Sequence, residues 1–251
     1  MPLNTLNTPK ILTAAIAKAQ SLLPEMRGDH LDIGSGQGDL IELLRQNSSR
    51  AGFNSRACDY TTELMKLRDV PVDVVDLNTQ PLPYPDAAFD LVTCTEVIEH
   101  IEHYRETLRE IHRVLRPGGV LVVTTPNILN LTSRVRFLLF GFHNLFGPLH
   151  VKESRVHSTG GHINPVSFFY LSHSLLDAGF RDVSLSVDKW QRGSMVLAVL
   201  LFPLIALYSF FSIRKERDKY GTIDGANIAI VRALNRFEIL LGRTLVVGCR
   251  K

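Results

Sequence analysis

The chain has 251 residues, 45% of them hydrophobic and 21% charged, which excludes a disordered polypeptide and suits one substantial core. Its formal net charge of +3, from 28 basic and 25 acidic residues, is too slight an excess to point to nucleic acid. Three cysteines, Cys58, Cys94 and Cys249, form no Cys-x-x-Cys pair. A disulfide scaffold or cysteine zinc site is therefore not expected, and a reducing cytoplasm is the default compartment.

The first apolar run, Ile11–Ala17, is interrupted by Lys18 and has no basic region before it, so it does not read as a secretory signal. Ile11, Leu12, Ala15, Ile16, Ala19, Leu22 and Leu23 recur at helical spacing after Thr8-Pro9. Residues 1–27 are expected to form a helical cap on the domain, with Thr8 closing the helix start. From residue 28 strand-like and helix-like segments alternate, the pattern of a mostly parallel α/β sheet. The expected elements are a strand His30–Ile33, a helix Asp39–Gln46, a weak strand Ser55–Asp59, a third strand Val70–Asp76 and a fourth, Phe89–Thr95. A helix His103–Leu115 then stops at Pro117-Gly118-Gly119, and Val120–Thr124 is a β-branched run suited to a strand buried on both faces. After Pro126 the periodicity is lost over Ile128–Gly161, a basic and aromatic stretch with Arg134, Arg136, Phe137, Phe140, Phe142 and Phe146. Order returns with a helix Pro165–Ala178, a strand Val183–Val187, an uncharged run over 195–213, a helical piece Asn227–Leu241 and a last strand Thr244–Cys249.

The chemistry sits at the ends of the early strands. Asp32-Ile33-Gly34-Ser35-Gly36-Gln37-Gly38 follows the first strand and opens a helix. Glycines there let the backbone turn sharply and approach a ligand beside free helix N–H groups. A dinucleotide site would space its third glycine one residue later. A carboxylate at the strand end suits a cationic amino-acid head group better than a pyrophosphate, which favours S-adenosylmethionine over NAD. Asp59, 21 residues past Gly38, can take both hydroxyls of a ribose; a solvated turn is the bland alternative. Asp76-Leu77-Asn78 ends the third strand, where a polar side chain can reach an adenine amino group or simply form a turn.

These segments, LDIGSGQGDL, ACDYT, VVDLN, FDLVTCTEVIEHI and VLRPGGVLVVTTPN, resemble a class I S-adenosylmethionine-dependent methyltransferase of the type 11 kind. The nearest subgroup is that of the ubiquinone-pathway O-methyltransferases. The resemblance implies a Rossmann-like, seven-stranded, mostly parallel sheet with helices on both faces and an antiparallel last strand. It also implies that Asp32, Gly34, Ser35, Gly36 and Gly38 hold the methionine side of S-adenosyl-L-methionine, with Asp59 on the ribose. Tyr60, Asp76, Leu77 and Asn78 would lie around the adenine, and Thr95 and Glu96 would border the methyl donor. Glu96, Glu99 and His100 are spaced i, i+3, i+4 and would share one helix face. They could bind a divalent metal, as in that subgroup, or shape the pocket, or His100 could act as a base. Gly160-Gly161-His162-Ile163-Asn164 makes His162 a second catalytic candidate on the acceptor side; a helix-start histidine is the alternative. His112 is expected at the surface and Cys94 in packing.

The uncharged run 195–213 is long enough as a helix to match a bilayer's hydrocarbon core. One crossing would strand the last sheet strand on the wrong side, and basic residues flank both ends: Lys189 and Arg192, then Arg214, Lys215, Arg217 and Lys219. A re-entrant hairpin broken at Pro203 or an in-plane helix is expected, with the basic run 131–146 on the same lipid-facing surface. The alternative is a buried or dimer-forming helix. The chain thus reads as one methyltransferase domain over 1–251, with a substrate-side insertion at 128–164 and a membrane-associating insertion at 190–220. It is expected to act at the cytoplasmic membrane face, without nucleic acid and with homodimerisation open. Its acceptor would be a quinone precursor or lipid-linked sugar, methylated on oxygen, or alternatively a soluble metabolite.

Overall fold

The computed structural model describes residues 9–48, 52–149 and 161–251; Thr8, Gly160 and part of the 128–164 insertion lie outside them. Seven strands form one sheet in the order β3-β2-β1-β4-β5-β7-β6. They are β1 (Gly28–Ile33), β2 (Phe53–Asp59), β3 (Val72–Val74), β4 (Phe89–Thr95), β5 (Leu115–Pro126), β6 (Arg181–Val187) and β7 (Thr244–Arg250). All pairings are parallel except those of β7 with β5 and β6. The sheet is therefore the one expected, Rossmann-like with an antiparallel last strand.

Strand alternation sorts the core into two layers. Leu31, Ile33, Val92, Cys94, Leu121, Val123, Leu245 and Val247 face one way, against Leu108 and Ile111 of α3 (Tyr104–Val114) and Leu171 and Leu175 of α5 (Phe168–Asp177). Leu91, Val120, Val122 and Val246 face the other, against α1 (Pro9–Leu22) and α2 (Asp39–Asn47). Cys94 packs in the core, as its strand position implied. His112 is half-buried rather than on the surface, its ring edge-on to Phe180 at 5.0 Å.

Three differences from the sequence reading have local causes. The third strand is three residues long, because Asp76 and its neighbours turn at once into Asx-type hydrogen bonds. The stretch after Pro126 contains a helix, α4 (Leu131–Phe140), started by Asn130, whose side chain accepts from the Ser133 N–H, and ended at Gly141 with φ 77°. Its apolar residues surround it on all sides, which hides a helical period. The 195–213 run lies inside one continuous helix, α6 (Arg192–Lys215), extended by a π-helical turn at Glu216–Tyr220. Pro203 does not break it, so a hairpin is ruled out. Two short helices, α7 (Ile228–Ala233) and α8 (Phe237–Leu241), lead into β7.

Leu108 is fully buried on α3 against the sheet. Leu108→Ala is expected to cost about 2–5 kcal/mol of stability through transfer and cavity terms, read as a lower midpoint in denaturant unfolding with unchanged slope.

Candidate active site

In the order β3-β2-β1-β4-β5-β7-β6 the chain reverses direction between β1 and β4, and open α/β sheets place ligands in the crevice at such a switch point. The glycine loop fills one lip of it. Gly34, Gly36 and Gly38 all have positive φ, at 68°, 52° and 86°. A Cβ on Gly34 would lie 2.2 Å from Val97 Cγ2, whereas one on Gly36 meets nothing within 4 Å. Packing therefore demands glycine at 34, while the space at 36 is open for a ligand. The Gly36 N–H donates to Asp59 Oδ2 at 2.8 Å, and the Tyr60 N–H to Oδ1 at 2.7 Å. Asp59 thereby ties the loop after β1 to the end of β2, and each oxygen keeps lone-pair capacity for a diol hydroxyl. Ser35 Oγ is buried with no partner among the described residues, a polar atom a ligand would satisfy. Open space, an orphan hydroxyl and a buried carboxylate fit the methionine and ribose parts of S-adenosylmethionine.

Asp32 is buried at the head of the loop, and Thr93 Oγ1 donates to its Oδ1 at 2.7 Å. Burial raises its pKa to about 7, the Thr93 bond opposes this, and the charge of Asp59 adds to it. Burial also raises Asp59, against the amide donors that hold it. Tyr60 stands at the rim, partly exposed.

Asp76 and Asn78 are committed to local structure. Asp76 accepts from the Asn78 N–H and the Thr79 hydroxyl, and Asn78 Oδ1 accepts from the Glu102 N–H. Asn78 Oδ1 thus braces this turn against the one after β4, while Leu77 packs on the core.

Thr95 is buried at the end of β4, and Glu96 follows in a left-handed conformation, φ 55°. Strain of this kind persists where surroundings impose it. Here the Glu96 N–H donates to Thr124 O and Oγ1, at 3.2 and 3.1 Å, and the Thr124 hydroxyl donates to Glu96 Oε1 at 3.0 Å. Residues 96–103 form turns, and α3 starts only at Tyr104. Glu96, Glu99 and His100 therefore share no helix face. Glu96 bonds to Thr124 and Glu99 to Thr125 Oγ1, successive β5 residues whose side chains leave opposite faces of the strand. The metal set expected from the sequence does not converge. Glu99, His100 and His162 do bring ligand atoms within 4.8 Å of one another, but Glu99 is fully buried and burial pushes its carboxyl far up toward the neutral acid.

His100 Nδ1 lies 3.0 Å from the Gly161 carbonyl, which can only accept, so the proton is on Nδ1 and Nε2 carries the lone pair. The loop is held by Glu99, whose backbone oxygen accepts from Ile163 and Asn164 at 2.9 and 3.0 Å. The rings of His100 and His162 meet edge-on at 4.7 Å, and Phe146 covers His162 at 5.1 Å. Burial lowers both imidazoles, His162 to about 4 with His100 adding to the effect. Two neutral imidazoles thus sit at the end of β4. The sequence reading missed the contributions of Thr93, Thr124 and Thr125, because an isolated threonine in a strand carries no signal until its cross-strand partner is known.

The family model described as a methyltransferase domain matches residues 31–123. A probable S-adenosylmethionine-dependent methyltransferase of Mycobacterium tuberculosis is 30% identical over 160 residues, covering 62% of this chain and 50% of that one. A ubiquinone/menaquinone biosynthesis C-methyltransferase of Rhodopseudomonas palustris is 32% identical over 98 residues, 36% of this chain and 38% of its own. The chain spans about half the length of the first of these relatives, or less of the second. Among solved structures, a SAM-dependent methyltransferase from Archaeoglobus fulgidus superposes with a TM-score of 0.54 at 19% identity, over 96% of this chain and 94% of that one. That likeness concerns the fold.

Gly36→Val is expected to abolish binding of S-adenosylmethionine in calorimetric titration while the protein stays folded, since the added side chain enters open space and the strain of its left-handed backbone falls on the loop alone. Asp59→Ala should weaken that binding by about 1–3 kcal/mol, the scale of hydrogen bonds to a charged group. The glycine loop and its carboxylate tether thus belong to a methyltransferase domain, residues 31–123, set in a sheet with the fold of S-adenosylmethionine-dependent methyltransferases.

Proposed function

We propose that the protein methylates an oxygen of an amphiphilic or lipid-linked small molecule, such as a quinone precursor or lipid-linked sugar, at the cytoplasmic face of a membrane. The observation that carries this reading is the placement of α6. The ends of β1, β2, β4, β5 and β6 share one edge of the sheet, and α4 and α6 leave from the same edge as the glycine loop. The helical stretch Arg192–Tyr220 is the one helix among the described residues long and apolar enough to cross a membrane, and only 6% of its most apolar part is buried.

Its inner stripe is narrow. Ser194 bonds to Thr132, Ala198 packs with Leu240 and Leu241, Phe202 stacks on Phe237 at 5.2 Å, and Ser209 accepts from Asn235. Met195, Val196, Val199, Leu200, Leu204, Leu207, Tyr208, Phe210 and Phe211 are exposed around the rest. This rules out a core helix. Attachment from residue 194 to 209, about 22 Å along the axis, favours a helix lying in the interface over one standing through it. Phe137, Leu138, Leu139, Phe140 and Phe142 at the end of α4 are exposed as well. Arg134 does not serve this surface: it is half-buried, and its guanidinium donates to Leu129 O, Leu234 O and Asn235 Oδ1. Of the basic flanks, Arg214 and Arg217 pair with Asp218, which leaves Lys189, Arg192, Lys215 and Lys219 to meet anionic headgroups.

Bound S-adenosylmethionine supplies an electrophilic methyl group. The chain's share is to orient the acceptor and to receive its proton, for which His100 Nε2 is the available site. A base at this point serves a hydroxyl oxygen, and equally a ring carbon activated by a neighbouring hydroxyl, the atom type named for the quinone-pathway relative.

The test is incubation with methyl-labelled S-adenosylmethionine and a bacterial lipid extract. Label in an organic-soluble product supports the reading; label only in water-soluble products overturns the lipid part of it. Replacing Val199 and Leu204 together by Glu should release the protein from vesicles of anionic phospholipid in co-sedimentation without changing cofactor affinity. His100→Ala should lower kcat about 10²–10⁴-fold with cofactor affinity retained. Because burial holds its pKa below 6.5, the acid limb of kcat should fall below that pH, where protonation removes the base.

A further inference from the structure

Behind the glycine loop a file of polar groups leads to Asp32, and its other members, His30, Ser55 and Thr93, enter neither the cofactor contacts nor the proton transfer described above. His30, Asp32, Ser55 and Thr93 are all buried. The parallel register sets His30 beside Ser55 and Asp32 beside Thr93, all on the sheet face covered by α1 and α2. Ser55 Oγ lies 3.1 Å from His30 Nδ1, His30 Nε2 lies 2.8 Å from Thr93 Oγ1, and Thr93 Oγ1 donates to Asp32 Oδ1 at 2.7 Å.

The proton positions in this file follow from one another. A carboxylate only accepts, so the Thr93 hydroxyl hydrogen points at Asp32. Thr93 Oγ1 must then accept from His30, which puts the imidazole hydrogen on Nε2. His30 Nδ1 is left as an acceptor and takes the Ser55 hydroxyl. Burial holds His30 neutral, its pKa lowered to about 3, which this tautomer requires. Every donor in the file is directed toward one carboxylate.

We infer that His30 and Thr93 are positioning residues that keep Asp32 ionised and oriented, with Oδ2 turned to the ligand, to receive the ammonium group of the cofactor's amino-acid end. The inference rests on the cofactor reading of the glycine loop. Without the relay the carboxyl has little reason to stay charged. Asp59 and Cys58 on β2 and Cys94 on β4 are its titratable neighbours, and Asp59 acts against ionisation, while both thiols are held neutral by burial. The buried side chains of α1 and α2 over this face, among them Leu12, Ala15, Ile16, Leu40 and Leu44, are apolar. A protonated Asp32 would offer a donor where an ammonium needs an acceptor, so affinity at the amino-acid end depends on pH through this group.

The experiment is calorimetric titration of the full chain between pH 5.5 and 8.5 with two probes. S-adenosylhomocysteine carries the amino-acid end; 5′-methylthioadenosine lacks it. For the unaltered protein, S-adenosylhomocysteine affinity should fall as pH drops through about 7, and methylthioadenosine affinity should stay level. Thr93→Val keeps the shape and removes the donor. It should move the S-adenosylhomocysteine profile up by about one pH unit, a loss of about fivefold at pH 7 that grows toward about tenfold at pH 5.5, with the other probe unchanged. Thr93→Ser should restore the profile. His30→Phe acts one bond farther from Asp32 and should shift it in the same direction by less, which keeps a reading available if Thr93→Val does not fold. An unshifted profile in the variants, or equal weakening of both probes, overturns the inference while the cofactor site stands. Failure of the unaltered protein to bind either probe overturns the cofactor reading itself.

Discussion

The bond from the Gly36 N–H to the Asp59 carboxylate joins two strand ends across the crevice where the sheet changes direction. Much else at the site depends on it. With Gly36 anchored, the middle of the loop of three left-handed glycines faces open space, while Gly34 and Gly38 at its ends lie against Val97 and Met65. The same carboxylate orders the start of the turn after β2 through Tyr60. One buried acid thus sets the shape of the space between the first two βα turns, and burial raises its proton affinity as a consequence.

The rest of the site follows one electrostatic rule. Asp32, Glu96, Glu99, His30, His100 and His162 are all shifted toward their neutral forms, each by burial first. Such a site attracts few ions from water and rewards a ligand that brings its own charge. A sulfonium bearing an ammonium group is such a ligand. Threonines moderate the effect, since Thr93, Thr124 and Thr125 each donate to one carboxyl. Three strand positions thereby decide which acids can still ionise.

The insertion between β6 and β7 solves a connection problem. Both strands must lie in the sheet, yet 56 residues separate Val187 from Thr244. Most of that length runs out and back as α6, α7 and α8, anchored where Gln191 N–H donates to Leu241 O and Trp190 bridges Gly242. Since the strands on either side are fixed, the apolar helix is held at the edge where the acceptor would enter. That shared edge is the ground on which we propose an amphiphilic acceptor.

Local chemistry was enough to reveal the strand–glycine loop–helix unit, Asp59 at the next strand end and the apolar run, because each is a contiguous pattern with its own period or composition. The α/β class was legible for the same reason, whereas the seven strands and the antiparallel last one came from the resemblance, and the strand order came from the structure. What lay beyond the sequence is whatever depends on which strands become neighbours. The i, i+3, i+4 spacing of Glu96, Glu99 and His100 promised one face, but a strained residue at the strand end sends the two carboxylates to opposite sides of β5. Arg134 read as a surface charge until the chain returned 100 residues later to bury it. His30 looked like one more strand residue until Thr93, 63 positions away, was set beside it. Spacing along a chain determines local conformation, whereas the direction and protonation of a buried group are decided by partners that only folding brings together.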